Sequence, residues 1–275
     1  MPEGDTVHRV AAHLHRALAG RVLTRADLRV PKLAAVQLAG ERVDEVVAVG
    51  KHLLHRIGPF TLHTHLGMDG EWQVLRPGAR WPSPAHRARV VLANERVETV
   101  GFDLPVVELV PREREGELVG YLGPDLLGPS WNADEAVRRL AAAPEREIAD
   151  ALLDQRTLAG LGNEYVNELC FLRGLDPRTP VARSGDLAAL VDLAHRLIVA
   201  NRDRVERTTT GDLRRGRRSF VYDREGLACL RCGTRIVRDR HGGVGSGLGA
   251  GSTSRGSDES RVSYRCPVCQ PPPGP

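Results

Sequence analysis

Residues 155–165 read Gln155-Arg156-Thr157-Leu158-Ala159-Gly160-Leu161-Gly162-Asn163-Glu164-Tyr165. The glycines mark a double turn, and a helical pattern resumes after Asn163, so the segment reads as two turns feeding a helix. The free backbone N–H groups at such a helix start form an anion site. Alone the signal is weak, because many helix starts look alike; the flanking sequence gives it meaning. Upstream, Asn132 or Asp134 caps a helix running through 142, and a second covers 145–154. Downstream, Ser184 or Asp186 opens a third that runs to about Arg202. A helical domain over 132–218 is therefore expected.

Ahead of it, residues 113–131 change character, with a charged run and then Leu-Gly-Pro-Asp, and read as a linker. Residues 1–112 alternate differently. Val7, Val10, Ala11, Leu14 and Leu18 place one apolar face on a helix over 3–19, stopped by Gly20. Val- and Leu-rich segments at 21–29, 42–50, 52–57, 60–66, 71–75, 86–93, 96–102 and 105–110 follow, separated by Gly and Pro turns. One helix on an antiparallel β-sandwich is the expected N-terminal domain, and the whole chain is expected to be α+β and multidomain.

The tail, 219–275, holds Cys229-Leu-Arg-Cys232 and Cys266-Pro-Val-Cys269. Two residues between paired thiolates let both sulfurs face one point, and two such pairs complete a tetrahedral site. Four thiolates leave no open position, so one structural Zn2+ on a β-hairpin finger is expected; two redox dithiols are the alternative. The 33 residues between the pairs include a Gly/Ser insert at 241–260, expected to be a mobile loop. Cys170, in an apolar helical stretch, reads as a core residue. Arg214, Arg215, Arg217, Arg218, Arg235, Arg238 and Arg240 surround the cysteines, as a solvated face or as a phosphate-neutralising one.

The 275 residues carry 39 Lys plus Arg against 35 Asp plus Glu, a formal charge of +4. That length predicts about two domains. Charges interrupt every apolar run, which excludes a membrane helix. The start has no apolar signal region, so a bacterial cytoplasmic or nucleoid location and a monomer are expected. Lys32 and Lys51 are the only lysines in an arginine-rich chain. Arginine bias explains the trend, yet a retained lysine marks a place for a titratable amine; Lys51 is the candidate and Lys32 its control.

Removal of Met1 would leave Pro2 with a free secondary amine, whose pKa of about 7.7–8.0 keeps an appreciable fraction neutral at pH 7. A helix dipole lowers it further. Such an amine attacks an aldehydic carbon and gives an iminium, an electron sink, with Glu3 beside it for proton transfer. The plainer alternative is that Pro2 and Glu3 simply start a helix.

Pro2-Glu3-Gly4, Gly50-Lys51-His52-Leu53-Leu54, His65-Leu66-Gly67-Met68, Gly160-Leu161-Gly162-Asn163 and Cys266-Pro267-Val268-Cys269-Gln270 occur in that order. Together they resemble the formamidopyrimidine-DNA glycosylase and endonuclease VIII family of base-excision repair enzymes, over nearly the whole chain. The resemblance implies a bifunctional glycosylase and β,δ-lyase with a helix–two-turn–helix domain and a zinc finger. It implies Pro2 as the nucleophile at the sugar C1′ and Glu3 as the acid that helps open the deoxyribose. It implies Lys51 as a strand-orienting proton donor in β-elimination and Asn163 as a phosphate ligand beside the lesion. Arg261 is implied to grip a backbone phosphate and aid δ-elimination, and Met68 matches the apolar wedge that fills the gap left by an extruded base. A core position is the alternative for Met68.

The short segment before the zinc module and the sequence Val221-Tyr222-Asp223-Arg224 lean toward the endonuclease VIII branch and oxidised pyrimidines, with an oxidised-purine glycosylase as the alternative. Gly67 departs from a DNA-contacting glutamine of that branch, and Tyr121 replaces a family arginine that contacts DNA. The expected partner is damaged double-stranded DNA, or single-stranded or bubble DNA, with no membrane. A DNA-binding module that lost catalysis is a competing class, as is a zinc hydrolase using His63 and His65, whose rings share one face of a strand.

Overall fold

The apolar stripe of the first residues forms a helix, α1 (Gly4–Leu18), in the computed structural model, which describes residues 2–241 and 261–274. Val7, Ala11, Leu14 and Leu18 are buried along one side of it. Eight strands follow: β1 (Arg25–Leu28), β2 (Val43–Val49), β3 (His52–Ile57), β4 (Phe60–His65), β5 (Glu71–Leu75), β6 (Ala88–Ala93), β7 (Glu98–Phe102) and β8 (Val106–Pro111). They build two four-stranded antiparallel sheets in the orders β1-β6-β7-β5 and β2-β3-β4-β8. Leu53, Ile57 and Leu62 from one sheet and Val90 and Leu92 from the other share a core with α1. Alternation decides which residues enter it: Leu53, His55 and Ile57 point inward, while His52 and Arg56 take the outer face.

Two strands are shorter than the apolar runs suggested. Of 21–29, only Arg25–Leu28 forms a strand, and Val22 makes a single bridge to Arg42. Of 86–93, the first residues belong to a 3-10 turn, Ala85–Arg87, that follows Pro84. The larger departure lies in the linker, where Arg112–Arg114 makes a 3-10 turn and α2 (Glu115–Val119) a short helix. Its charges have work on the sheet. Arg56 Nε donates to Glu115 at 2.9 Å, and the Thr61 hydroxyl donates to the same carboxylate at 2.6 Å. The linker is thus clipped to the outer face of β3 and β4.

Beyond it lie α3 (Ala133–Ala141), α4 (Ile148–Leu153), α5 (Asn163–Arg173) and α6 (Leu187–Asn201). Asn132 caps α3 by accepting from Glu135 N at 3.0 Å, and Asp186 caps α6 by accepting from Ala189 N at 2.9 Å. The second helix starts three residues later than its sequence pattern, because Glu147 bridges to Pro180 and Ile148 N donates to the Thr179 carbonyl at 2.8 Å. Leu152, Leu161, Tyr165, Leu169, Leu190 and Ile198 fill the helical core. Cys170 is fully buried there, its thiol pushed up to about 12 by burial, as fits an inert core cysteine.

At the C-terminal end β9 (Val237–His241) and β10 (Arg261–Arg265) form an antiparallel hairpin. Phe171, Val221, Ile236 and Cys266 make a third, small core beneath it. The Gly/Ser insert, from residue 242 on, lies outside the described residues. Among those described, no helix is long and apolar enough to cross a membrane.

Candidate active site

The first residues of the chain meet the double turn. Glu3, fully buried, accepts from Gly162 N at 2.6 Å and from Glu164 N at 2.9 Å. Its carboxylate thereby satisfies amides at the start of α5 that have no partner inside the helix. Gly4 N donates to the Gly160 carbonyl at 2.8 Å and fixes the backbone beside it. Gly162 has to be glycine, because a Cβ there would lie 2.5 Å from the Glu3 carboxyl carbon. Burial pushes the Glu3 carboxyl above its ordinary range, against the pull of the Arg207 and Lys51 charges. A carboxyl so placed can hold a proton that a solvated glutamate would lose. Pro2, half-buried, immediately precedes it.

Lys51 follows Gly50 in the turn between β2 and β3. Gly50 N donates to Asp125 at 2.8 Å, and Asp125 Oδ1 accepts from Leu127 N at 3.0 Å, so the turn is tied to the segment leading into the helical region. That tie places the Lys51 charge where it acts on both Glu3 and His52. Lys32, by contrast, is exposed on a remote 3-10 turn.

Asn163 opens α5, and its amide donates to the Val262 carbonyl at 2.8 Å. One turn on, Asn167 accepts from Tyr264 N at 2.6 Å. These bonds fasten β10 along the start of α5, so Asn163 and Arg261, 98 positions apart, become neighbours along the chain path. The backbone of Arg261 pairs with His241; its side chain lies outside the described residues.

Met68 is 64% exposed in the loop after β4, which excludes the core position. Gly67 before it has a φ of +60° and packs on Pro105, so a glutamine there would be strained and would meet the Pro105 ring. Tyr121 is 48% exposed, with its hydroxyl 3.0 Å from His52 Nε2. The Sγ atoms of Cys229, Cys232, Cys266 and Cys269 all lie within 4.8 Å of one another. A tetrahedral tetrathiolate site spaces its sulfurs by about 3.8 Å, so the donor set fits a metal. His63 and His65 join no such group among the described residues, and His63 is hydrogen-bonded to Glu108 and His52, which removes the ground for a zinc hydrolase.

Residues 1–103 match the model of the formamidopyrimidine-DNA glycosylase N-terminal domain, and residues 122–200 that of the H2TH domain of the same enzymes. A probable endonuclease 8 2 of Streptomyces coelicolor is 50% identical over 279 residues, covering 100% of this chain and 96% of that one. A Mycolicibacterium smegmatis protein named DNA-(apurinic or apyrimidinic site) lyase Nei2 is 47% identical over 270 residues, covering 98% and 99%. The chain belongs to the formamidopyrimidine-DNA glycosylase and endonuclease 8 family. Its fold is also that of Lactococcus lactis formamidopyrimidine-DNA glycosylase, solved non-covalently bound to DNA containing an abasic site, with a TM-score of 0.78, 20% identity, and 98% and 100% of the two chains covered.

Within this family's frame, two features escaped the sequence reading. Arg207, nearly buried, donates to Asp5 through Nε at 2.7 Å and Nη2 at 2.5 Å, and to Glu164 through Nη1 at 2.6 Å. Nη1 also lies 3.6 Å from Glu3, and the guanidinium stacks 4.7 Å from the centroid of the Tyr165 ring. One cation thus serves three carboxylates where the first residues of the chain meet the start of α5. Nothing around Arg207 in the sequence distinguishes it from the chain's many other arginines, and its acidic partners Glu164 and Asp5 lie 43 and 202 positions away. The second feature is a set of paired histidines on the outer face of β3 and β4. The same-face spacing of His63 and His65 was legible, but the joining of Tyr121 to Glu108 through His52 and His63 was not.

Proposed function

We propose that this protein is a bifunctional DNA glycosylase and abasic-site lyase of base-excision repair, acting on oxidised bases with pyrimidines favoured. The observation that carries the reading is the docking of Pro2-Glu3 on the start of α5 beside Lys51. It puts an amine, a proton-holding carboxyl and a cation around a helix N-terminus, where a phosphate is favoured. A damaged base cannot be reached inside a duplex and has to be extruded, at a cost of a few kcal/mol. Met68, apolar and exposed, is suited to fill the gap. The Pro2 amine attacks C1′, the bond from C1′ to the base breaks, and the base leaves. Glu3 delivers its proton to the ring oxygen as the sugar opens, which leaves an iminium between Pro2 and C1′. That electron sink acidifies the C2′ hydrogen, and the 3′ phosphate leaves by β-elimination, with Lys51 orienting the strand and moving a proton. Asn163 and Arg261 hold the flanking phosphate, and the second elimination releases the 5′ phosphate.

The endonuclease 8 branch is supported by the relatives at about half identity, which are named as endonuclease 8 or abasic-site lyase, and the pyrimidine preference is what resemblance to that branch implies. We propose one structural Zn2+ on Cys229, Cys232, Cys266 and Cys269. When bound it would cross-link the segments on either side of the β9–β10 hairpin, whose second strand begins at Arg261. Cys232→Ser is expected to release the metal and weaken DNA binding at least tenfold, with the β-sandwich still folded; metal analysis and a DNA titration check this. Unchanged binding by a metal-free variant would show the finger to be dispensable. The activity is tested by borohydride trapping on duplexes carrying an abasic site, an oxidised pyrimidine or 8-oxoguanine. Adducts with the first two, stronger than with 8-oxoguanine, are expected. Strongest trapping on 8-oxoguanine would assign the purine branch. DNA binding without any adduct would make the protein a binding module.

A further inference from the structure

The outer face of the β2-β3-β4-β8 sheet carries a run of hydrogen bonds that the chemistry above leaves unused. The Tyr121 hydroxyl lies 3.0 Å from His52 Nε2, His52 Nδ1 lies 2.8 Å from His63 Nε2, and His63 Nδ1 lies 3.0 Å from Glu108 Oε2. The register explains the order: His63 faces Glu108 across β4–β8, and His52 sits diagonally from it, opposite His65. Both ends of the run are exposed, and Tyr121 is the end that adjoins the turn that carries Lys51, since its neighbour Leu122 lies over Gly50.

One acid fixes the direction of every bond. A carboxylate only accepts, so His63 Nδ1 bears the hydrogen that points at Glu108. Neutral His63 then accepts at Nε2, His52 donates from Nδ1 and accepts at Nε2, and the Tyr121 hydroxyl donates to His52. Its oxygen therefore turns only lone pairs outward, and a phosphate oxygen, itself an acceptor, is repelled. One added proton reverses the run. With His63 doubly protonated, it donates to both Glu108 and His52 Nδ1, His52 donates from Nε2 to the Tyr121 oxygen, and the Tyr121 O–H is released outward.

We propose that Tyr121 binds a DNA backbone phosphate, and that His52, His63 and Glu108 are positioning residues that couple this contact to the uptake of one proton from solvent. The proposal rests on the proposed function, in which DNA lies against the surface beside Lys51. The charged and titratable groups around the run are Lys51 and His65 beside His52, His55 near His63, Glu108 on β8, and Arg156 near Tyr121. Burial is the main cause that pushes His52 down to about 3 and lowers His63 as well, so the free protein holds the neutral, closed direction at pH 7. The negative phosphate favours the added proton, so binding strengthens as pH falls.

The test is the affinity of the full chain for a duplex carrying a tetrahydrofuran abasic analogue, at fixed salt, between about pH 6 and pH 8.5. Linkage to one proton changes affinity by at most about tenfold per pH unit. Tyr121→Phe is expected to bind about fivefold more weakly than wild type near pH 6, with the two converging near pH 8.5. Glu108→Gln should flatten the wild-type slope, because an amide can donate to His63 and let the run reverse without a proton. Its gain near pH 8.5 should vanish in the double variant with Tyr121→Phe. Parallel profiles for wild type and Tyr121→Phe would overturn the proposal. So would a Glu108→Gln gain that persists without the tyrosine hydroxyl, since that is only the loss of a surface charge. Borohydride trapping of wild type reads the activity separately: trapping without the pH-linked difference sinks the relay alone, and absent trapping sinks the activity while the binding profiles still judge the relay.

Discussion

Replacing Pro2 with alanine should reduce excision of an oxidised base at least about a thousandfold, equivalent to about 4 kcal/mol of lost transition-state stabilisation. Alanine at position 2 still permits removal of Met1, so the variant presents an amine at the same place. That amine is primary. It condenses to a neutral imine, which has to gain a proton before it withdraws electrons, whereas the proline nitrogen gives a charged iminium directly. Residual cleavage at a preformed abasic site is expected to be far less affected than base removal, because the sugar there already exposes its aldehyde. Single-turnover cleavage on the two substrates, with Met1 removal confirmed by mass, measures both. Peptide mapping of the borohydride adduct decides the remaining question: an adduct on Lys51, formed at the wild-type rate in Pro2→Ala, would transfer the nucleophile's role to the lysine.

The second large effect belongs to stability. Arg207→Met keeps the length and much of the apolar stem of the side chain but leaves Glu3, Asp5 and Glu164 without their shared cation. Breaking a buried ion pair by removing one partner costs about 3–5 kcal/mol, which in a chain of this size lowers Tm by on the order of 10 °C. The pH dependence gives the cause away. Burial already raises the Glu3 and Glu164 carboxyls, and loss of the guanidinium raises them further. A folded state whose carboxyls sit above their unfolded value binds more protons than the unfolded chain, so the variant loses stability as pH rises above about 4.5. The Tm deficit should therefore be largest near neutrality and shrink on acidification. A deficit independent of pH would point to lost packing on Tyr165 instead of charge, and an unchanged Tm would remove Arg207 from the scaffold altogether.

Much of this architecture could be read from residue order, and the reason is local. The sandwich strands alternate because one face of each sheet is buried, and α1, α3 and α6 advertise themselves through apolar spacing and cap residues. The cysteine pairs carry their geometry in their own spacing. What escaped reading depends on residues far apart in the chain. Nothing near Glu115 says that it will grip Arg56 and Thr61, so its segment read as a plain linker. Nothing near Arg207 separates it from its many neighbours in kind. Gly67 read as a departure from a glutamine; only its left-handed backbone and the nearby Pro105 ring explain why a side chain is unwelcome there. Pro2, Glu3 and Lys51 were singled out by chemistry and resemblance, whereas the bonds that set their surroundings come from partners 75 to 161 residues away.

The hydrogen bond from Gly162 to Glu3 spans 159 positions of chain. At translation rates of about 5–20 residues per second, the ribosome needs on the order of ten seconds or more to travel from one to the other. During that interval the sandwich strands can already fold, yet Glu3 has neither the amides that hold it nor Arg207, which emerges later still. A nascent or truncated chain that ends before α5 therefore has Pro2 and Glu3 without the amides and the guanidinium that set their surroundings. The distance in sequence acts as a delay, and the assembled junction exists only in molecules whose synthesis has passed Arg207.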